Sequence, residues 1–169
     1  MTPNRRDVVK YGIVGLATAV GVTGVGSARP DKNNGKGNNE ARANFPDQTV
    51  EAEDGTVEVS VKQAFLPDGG FVVIHNETLL QGAVVPSIVG KSEALGAGGH
   101  GDVDIEVPVD GIVDADGSGE TELIAMPHRD TNDNGSYDFP DDTSEDVPYF
   151  VGNDPDNGPV IDAAVVTVE

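Results

Sequence analysis

The sequence predicts an all-β domain, an immunoglobulin-like, Greek-key β-sandwich of seven or eight strands. Short apolar segments recur along the chain, several with the two-residue alternation of half-buried strands. Clusters of glycine, proline, asparagine and aspartate separate these segments and indicate turns. No stretch shows helical periodicity beyond one or two turns. Because the pattern does not fix strand order, a cupredoxin-like or jelly-roll arrangement stays open.

Each expected strand has its own pattern. Residues 56–66 and 102–109 alternate apolar and polar side chains, which predicts strands with one buried face. Residues 70–75 and 121–127 are continuously apolar, which predicts strands buried on both faces. The other expected elements are a turn at 67–70, an edge strand or bulge at 83–90 that contains Pro86, a glycine-rich loop at 94–101 and a terminal strand at 160–169.

The N-terminal segment, residues 1–28, is typical of an export signal. Arg5 and Arg6 precede a weakly apolar, glycine-rich run at residues 11–26, and small residues follow where a signal peptidase could cut. Paired arginines in this position resemble a twin-arginine signal. The run is shorter than the ~20 residues needed to span a bilayer. We therefore expect an export signal and, once it is cleaved, no membrane span; left uncut, the run could tether the protein to the membrane.

A polar segment separates this signal from the folded part. Residues 29–46 are rich in asparagine and glycine and have no apolar period, so they predict a flexible polar linker. The β-sandwich domain is then expected at residues 47–169.

The composition limits the partners. The chain has a formal net charge of -20, with 30 acidic and 10 basic residues. Such a charge disfavours nucleic acid and anionic membranes as partners. An acidic surface suits molar salt, where a Debye length of ~3 Å screens carboxylate repulsion. We interpret the chain as halophilic; an acidic mesophilic protein is the alternative.

Cysteine is absent, which excludes disulfides, thiolate catalysis, iron–sulfur clusters and cysteine-ligated copper. The sequence also lacks a GxSxG motif, an HExxH motif and a phosphate-binding glycine loop. No pair of carboxylates stands out as an acid/base couple. We therefore expect no enzyme activity and no catalytic residues.

The acidic loop, residues 130–141, carries a DxNxNGxxD pattern typical of calcium loops. Calcium takes 6–8 oxygen ligands, which short carboxylates and amides on alternate residues can supply. Glycine at the sixth position permits the sharp turn that such a loop needs. The expected metal ligands are Asp130, Asn132, Asn134, the carbonyl of Ser136, Asp138 and Asp141.

Two departures from the pattern weaken this site. Asp141 stands where a longer glutamate is usual, and no amphipathic helix flanks the loop, so we expect a stand-alone loop with a Kd of ~10⁻⁴–10⁻³ M. The alternative is an ordinary acidic surface loop. A second acidic segment, residues 113–120, has its glycine out of register and is interpreted as a turn.

The histidines offer two other hypotheses. His75 and His128 each end an apolar strand, and we expect them at the same end of the sandwich, where with Met126 they could ligate copper or zinc. The alternative is that they hydrogen-bond strand ends, with Asp130 orienting His128. A ligand pocket near His100, in the glycine-rich loop, is the third hypothesis. Asn76 begins a glycosylation sequon in an apparent turn; the sequon at Asn134 lies inside the acidic loop, where a glycan would compete with the ion.

Three segments resemble a family of exported haloarchaeal domains of unknown function. They read LPDGGFVVIH (66–75), VPSIVGKSEALGAGGH (85–100) and ELIAMPHRDTNDNGSYDF (122–139). The resemblance implies a secreted or cell-surface β-sandwich module, often attached to larger surface proteins, with no established catalytic residues. We therefore expect a binding or structural module with a calcium-stabilised acidic loop and with other surface components as partners.

Overall fold

The structure, a computed structural model, describes residues 40–110 and 119–169. The expected signal, most of the expected linker and most of the weaker acidic segment at 113–120 lie outside the described residues. Within the described ranges, no helix has the length and apolar character needed to cross a membrane.

The described residues form two β-sheets of eight strands, which confirms an all-β sandwich with the expected number of strands. The immunoglobulin-like type stays a prediction. The strands are β1 (Arg42–Asn44), β2 (Gln48–Val50), β3 (Thr56–Leu66), β4 (Phe71–Asn76), β5 (Ile88–Lys91), β6 (Gly98–Pro108), β7 (Gly119–His128) and β8 (Asp162–Val168). Short 3-10 helices occupy Glu77–Gln81, Val151–Asn153 and Pro155–Asn157.

The two sheets have different sizes. The smaller has the order β1-β3-β6, and the larger has the order β2-β8-β7-β4-β5. Neighbouring strands are antiparallel except β2 and β8, which pair in parallel through residues 48–50 and 166–168. The larger sheet therefore ends in β2 on one side and in β5 on the other.

The main core lies between the sheets. From Val57 to Val61 in β3 and from Val103 to Val107 in β6, every second residue points inward, as the alternation predicts. Lys62 and Gln63 are both exposed, so the inward-facing set of β3 continues at Ala64 and Leu66. These side chains meet the inner face of the larger sheet, where β4, β7 and β8 contribute apolar residues. The core includes Val57, Val59, Val61, Ile105, Val107, Val72, Ile74, Leu123, Ala125, Val166, Phe45 and Tyr149.

The central strands β4 and β7 are buried on both faces, as expected from their continuous apolar runs. Their outer faces are covered by the 3-10 helix at Glu77–Gln81 and by the segment after β7. Leu79, Ile124 and Met126 form a second, smaller cluster there, which we call the outer cluster.

The folded domain begins earlier than expected. Ala41 and Phe45, which we expected in the polar linker, are buried in the main core. Arg42–Asn44 between them pairs with β3 as β1. The backbone N–H of Phe45 donates to Asp162 at 2.7 Å. The polar residues around this segment masked its two-residue alternation.

The glycine-rich loop expected at residues 94–101 is also shorter. Gly98 to Gly101 already belong to β6 and pair with β3. Phe65 lies opposite Gly99, where a Cβ would lie 3.9 Å from the aromatic ring, an ordinary contact distance. Strand pairing here overrides the weak strand preference of glycine.

The edge-strand prediction at residues 83–90 is confirmed in position but not in length. Only Ile88–Lys91 pairs with β4, and a register shift lies between Ile74 and His75. Pro86 falls before the strand, as expected for a residue without an N–H. Gly90 lets this edge approach the other sheet, because a Cβ there would lie 2.7 Å from the carbonyl oxygen of Glu106.

Candidate functional site

The acidic loop follows β7 directly and begins beside the outer cluster. Its backbone turns sharply where the sequence predicts: Gly135 has φ of 73°, and Asp133 has φ of 55°. Both lie in the left-handed region, which glycine adopts easily and aspartate tolerates. Gly135, the glycine at the sixth position of the pattern, therefore adopts the left-handed conformation expected of it.

Asp130 organises the first half of the acidic loop. One of its carboxylate oxygens accepts from the backbone N–H of Asn134 at 3.1 Å, and the other accepts from that of Gly135 at 2.8 Å. The side-chain oxygen of Asn132 also accepts from the N–H of Asn134, at 3.1 Å. These bonds fold the acidic residues back on their own backbone.

Asp138 gathers the two asparagine side chains. Its Oδ2 accepts from Asn132 Nδ2 at 3.0 Å and from Asn134 Nδ2 at 2.7 Å. These two hydrogen bonds lower the pKa of Asp138 below its ordinary value. Asp130, Asn132, Asn134 and Asp138 thus form one hydrogen-bonded group.

The other two expected ligands are less involved. The N–H of Ser136 donates to the side chain of Asn134 at 2.6 Å, and the N–H of Asp141 donates to the Asp138 carbonyl at 2.9 Å. Within residues 40–110 and 119–169, no three histidine, aspartate or glutamate side chains come together in a way that could hold a metal ion. The group around Asp138 instead combines carboxylates with amides.

The residue that fastens the acidic loop is Asp146, which the sequence analysis missed. It is fully buried, and its carboxylate accepts from the N–H of Thr131 at 2.9 Å and from that of Asp138 at 2.7 Å. Its own N–H donates to the hydroxyl of Thr131 at 2.9 Å. Because Asp146 lies beyond the calcium pattern, its spacing gives no signal in the sequence.

The two strand-end histidines meet on the outer face of the larger sheet. In the antiparallel pair β4 and β7, His75 lies opposite Ile124 and His128 lies opposite Phe71. The expectation that both histidines stand at the same end was therefore wrong, because antiparallel strands end on opposite sides. Their side chains nevertheless reach toward each other, and the ring centroids are 6.2 Å apart with planes 24° from parallel.

Both imidazoles are held through Nδ1. His128 Nδ1 donates to the carbonyl of Asp146 at 2.6 Å, because a carbonyl can only accept. His75 Nδ1 lies 2.8 Å from the hydroxyl of Ser87, which donates its own proton to the carbonyl of Val84 at 2.7 Å. The Ser87 oxygen therefore accepts from His75. The hydrogen bond expected between Asp130 and His128 is replaced by the one to Asp146.

The Nε2 atoms of these two residues, the histidine pair, have no hydrogen-bond partner. His75 and His128 are fully buried. Burial, together with the proximity of His128, lowers the pKa of His75 to about 3, and burial lowers the pKa of His128 to about 4. Both rings are therefore neutral at pH 7, with the proton on Nδ1 and an unshared lone pair on Nε2.

Aromatic rings from the acidic loop cover His128. The rings of Tyr137 and Phe139 meet it edge-on, with centroids 5.2 Å and 5.1 Å away, and Phe71 packs against Tyr137. Burial raises the pKa of the Tyr137 hydroxyl, with a smaller contribution from Asp146. The acidic loop thus exposes polar side chains to solvent and packs its two aromatic rings against His128.

A groove of about 450 Å³ lies near His100, where the sequence suggested a pocket. Arg42 and Lys62 line it together with Gly99 and Gly101. Arg42 stacks 4.4 Å above the Phe65 ring, and Lys62 pairs with Asp102 at 2.8 Å. Both cations are thus engaged within the chain.

Comparison with known proteins places the chain in a family. Residues 41–167 match a domain of unknown function, DUF7282. The chain is 42% identical over 119 residues to Cell surface glycoprotein 1 of Haloarcula hispanica, and 38% identical over 132 residues to Cell surface glycoprotein 2 of the same organism. Each match covers 70% of this chain but only 11% and 12% of those relatives. The expected likeness to haloarchaeal domains of unknown function is confirmed, and the chain belongs to the DUF7282 family.

Proposed function

We propose that this chain is a secreted or cell-surface module of a halophile that binds or supports other surface components and is not an enzyme. The observation that carries the proposal is the 42% identity to part of a haloarchaeal cell surface glycoprotein. The matched segment is about one domain of that longer relative. A compact acidic sandwich of this kind would serve as a building unit in salt.

The finer part of the proposal is a calcium ion held by the acidic loop. Asp130, Asn132, Asn134 and Asp138 already form one group, which supports this assignment. Rotating the two asparagine amides would turn their oxygens from the backbone toward an ion. The full ligand set is Asp130, Asn132, Asn134, Ser136, Asp138 and Asp141, a mixture of carboxylate, amide and carbonyl oxygens that suits calcium.

The expected role of the ion is structural. Most of the loop is exposed and rich in carboxylates, which repel one another in dilute salt. A divalent cation would neutralise them and hold the loop over the aromatic layer formed by Tyr137 and Phe139. Export of the chain by the expected twin-arginine signal belongs to the same proposal, because millimolar calcium is an extracellular condition.

Thermal melting tests the calcium loop. The protein is treated with EGTA and melted with and without calcium at constant high salt; we expect calcium to raise Tm. The Asp130→Ala variant should lose this rise. Asp154→Ala is the matched control, because Asp154 also accepts from a nearby backbone N–H, that of Asp156 at 3.0 Å, but lies outside the acidic loop.

Two results would contradict the calcium assignment. One is a Tm that calcium leaves unchanged in the parent protein. The other is an equal calcium response in Asp130→Ala and Asp154→Ala, which would indicate general charge screening. Neither result would affect the assignment to the surface-module family, which depends on sequence identity.

A further inference from the structure

We propose that His75 and His128 form a buried, two-coordinate site for copper(I). The proposal is independent of the calcium loop, because it depends on different residues and a different class of ion. It starts from two buried ring nitrogens that have no hydrogen-bond partner.

Each ring is oriented as a metal-binding imidazole usually is. Metal-ligating histidines donate their second N–H to a carbonyl, a carboxylate or water, which fixes the tautomer and the ring direction. Here the carbonyl of Asp146 and the hydroxyl of Ser87 accept from the Nδ1 atoms at 2.6 and 2.8 Å. Both Nε2 atoms are thereby left as lone-pair donors inside the protein.

The separation of the two ring centroids equals that of two imidazoles bound to one ion. A metal–nitrogen bond of about 2.0 Å places the ring centroid roughly 3 Å from the ion. Two imidazoles on opposite sides of an ion would then have centroids roughly twice that distance apart. The observed separation is 6.2 Å, with the ring planes 24° from parallel.

The small number of ligands favours copper(I) over zinc. Zinc requires about four ligands in a tetrahedral site, whereas the described residues bring no third histidine or carboxylate to the pair. A monovalent ion costs less to bury than a divalent one. Copper(I) accepts imidazole and soft thioether ligands, and Met126 is a buried sulfur residue on the same face, at a register position between the two histidines.

Burial explains why such a site would be retained. An unpartnered polar nitrogen in a dry interior destabilises the fold, and this pair has two such nitrogens. A bound ion would engage both of them. The carbonyl of Asp146, a fully buried residue, already fixes the orientation of the His128 ring.

The test is titration of the intact protein with copper(I), kept reduced by ascorbate without oxygen in a chloride-free sulfate medium. Imidazole nitrogen NMR follows each ring through its own signals. Those signals stay sharp on binding, because copper(I) is diamagnetic. We expect a 1:1 complex in which the Nε2 signals of His75 and His128 both move while those of His100 do not. This measurement needs no substitution in the core.

Variants add an affinity readout by competition with a coloured copper(I) chelator. Ser87→Ala removes the acceptor for His75 Nδ1 and should weaken binding 10–100-fold. His100→Gln, the matched control at the histidine outside the pair, should bind as the parent does. Calcium should not compete.

Several results would overturn the proposal: no binding, a shift of only one ring of the pair, or the same affinity in Ser87→Ala and the parent. A crystal structure grown with copper(I) that shows only a water bridging the two Nε2 atoms would also overturn it.

Discussion

The two buried layers of this domain, on the inner and the outer face of the same sheet, are built differently. The main core between the sheets is apolar and is filled mainly by strand residues, with Val59, Val61 and Val72 fully buried. The outer face of β4 and β7 is equally buried but carries His75 and His128, and a loop and a short helix cover it. The first layer holds the fold together, whereas the second positions polar groups.

This difference shows where a small β-sandwich can bury polar side chains. Strand pairing satisfies the backbone, so an inner core needs only shape and hydrophobicity. A layer closed by loops must instead supply acceptors for polar side chains, and Ser87 and Asp146 supply them here. We therefore expect substitutions in the inner layer to change global stability and those in the outer layer to change local order first.

The largest effect should come from the inner layer. Ile105, which is 1% exposed, packs between the sheets, and Ile105→Ala should lower the free energy of unfolding by about 2–5 kcal/mol through lost burial and a cavity. Glu106→Ala, at the adjacent exposed position of β6, is the control and should be nearly neutral. Denaturant unfolding at constant salt measures both. Similar losses in the two variants would contradict the assignment of the faces.

The next effect should be confined to the outer layer. Asp146→Asn places an amide N–H₂ among backbone donors that the carboxylate now accepts from, at Thr131 and Asp138. We expect a loss of about 1–3 kcal/mol. Hydrogen exchange should show the acidic loop opening while β3 and β6 stay protected. Asp142→Asn, at an exposed position, is the control. An equal loss of hydrogen-exchange protection in all strands would show that the two layers do not open independently.

Acid should act on the histidine pair. In the folded state the pKa values are about 3 and about 4, below the ordinary 6.5, so the unfolded chain takes up these protons first. Stability is therefore fully present above pH 6.5 and is lost as pH falls toward the folded values. At pH 5 each histidine should cost about 2 kcal/mol.

Denaturant unfolding between pH 7 and pH 5, above the range where most carboxylates titrate, measures this loss. His128→Gln should flatten the dependence on pH, whereas His100→Gln should keep it. An unchanged slope in His128→Gln would show that the pair does not stay neutral.

The smallest effect should come from the helix that covers the outer cluster. The side chain of Asn76 accepts from the N–H of Thr78 at 3.1 Å and from its hydroxyl at 2.6 Å, which caps the 3-10 helix Glu77–Gln81. Asn76→Ala should cost about 1 kcal/mol. Gln81→Ala, at the exposed end of the same helix, should lower the stability less. Thermal melting of both variants measures the difference. A larger loss in Gln81→Ala would show that the cap contributes little.

The inner layer was predictable from sequence, and the outer layer only in part. Alternation in β3 and β6 and the continuous apolar runs in β4 and β7 identified the core strands, because side-chain direction repeats every two residues. Short β1 escaped prediction because its alternation is brief. The glycines of β6 escaped because their strand pairing depends on β3 rather than on local preference.

The candidate site shows the same division. Local spacing identified the group around Asp138, since all its members lie within one turn-forming segment. It could not identify Asp146 or Ser87, which meet the histidines only after the chain has folded. The mutual approach of His75 and His128 depends on strand register, which the pattern of residues does not encode directly.

The parallel pairing of β2 with β8 has a mechanical consequence. Tension applied ahead of β2 and behind β8 would pull these strands past each other lengthwise, so the hydrogen bonds between residues 48–50 and 166–168 would share the load rather than open one by one. Such shear geometry resists stretching better than unzipping does. A unit strung into a longer surface protein would hold its shape under the forces that an envelope transmits.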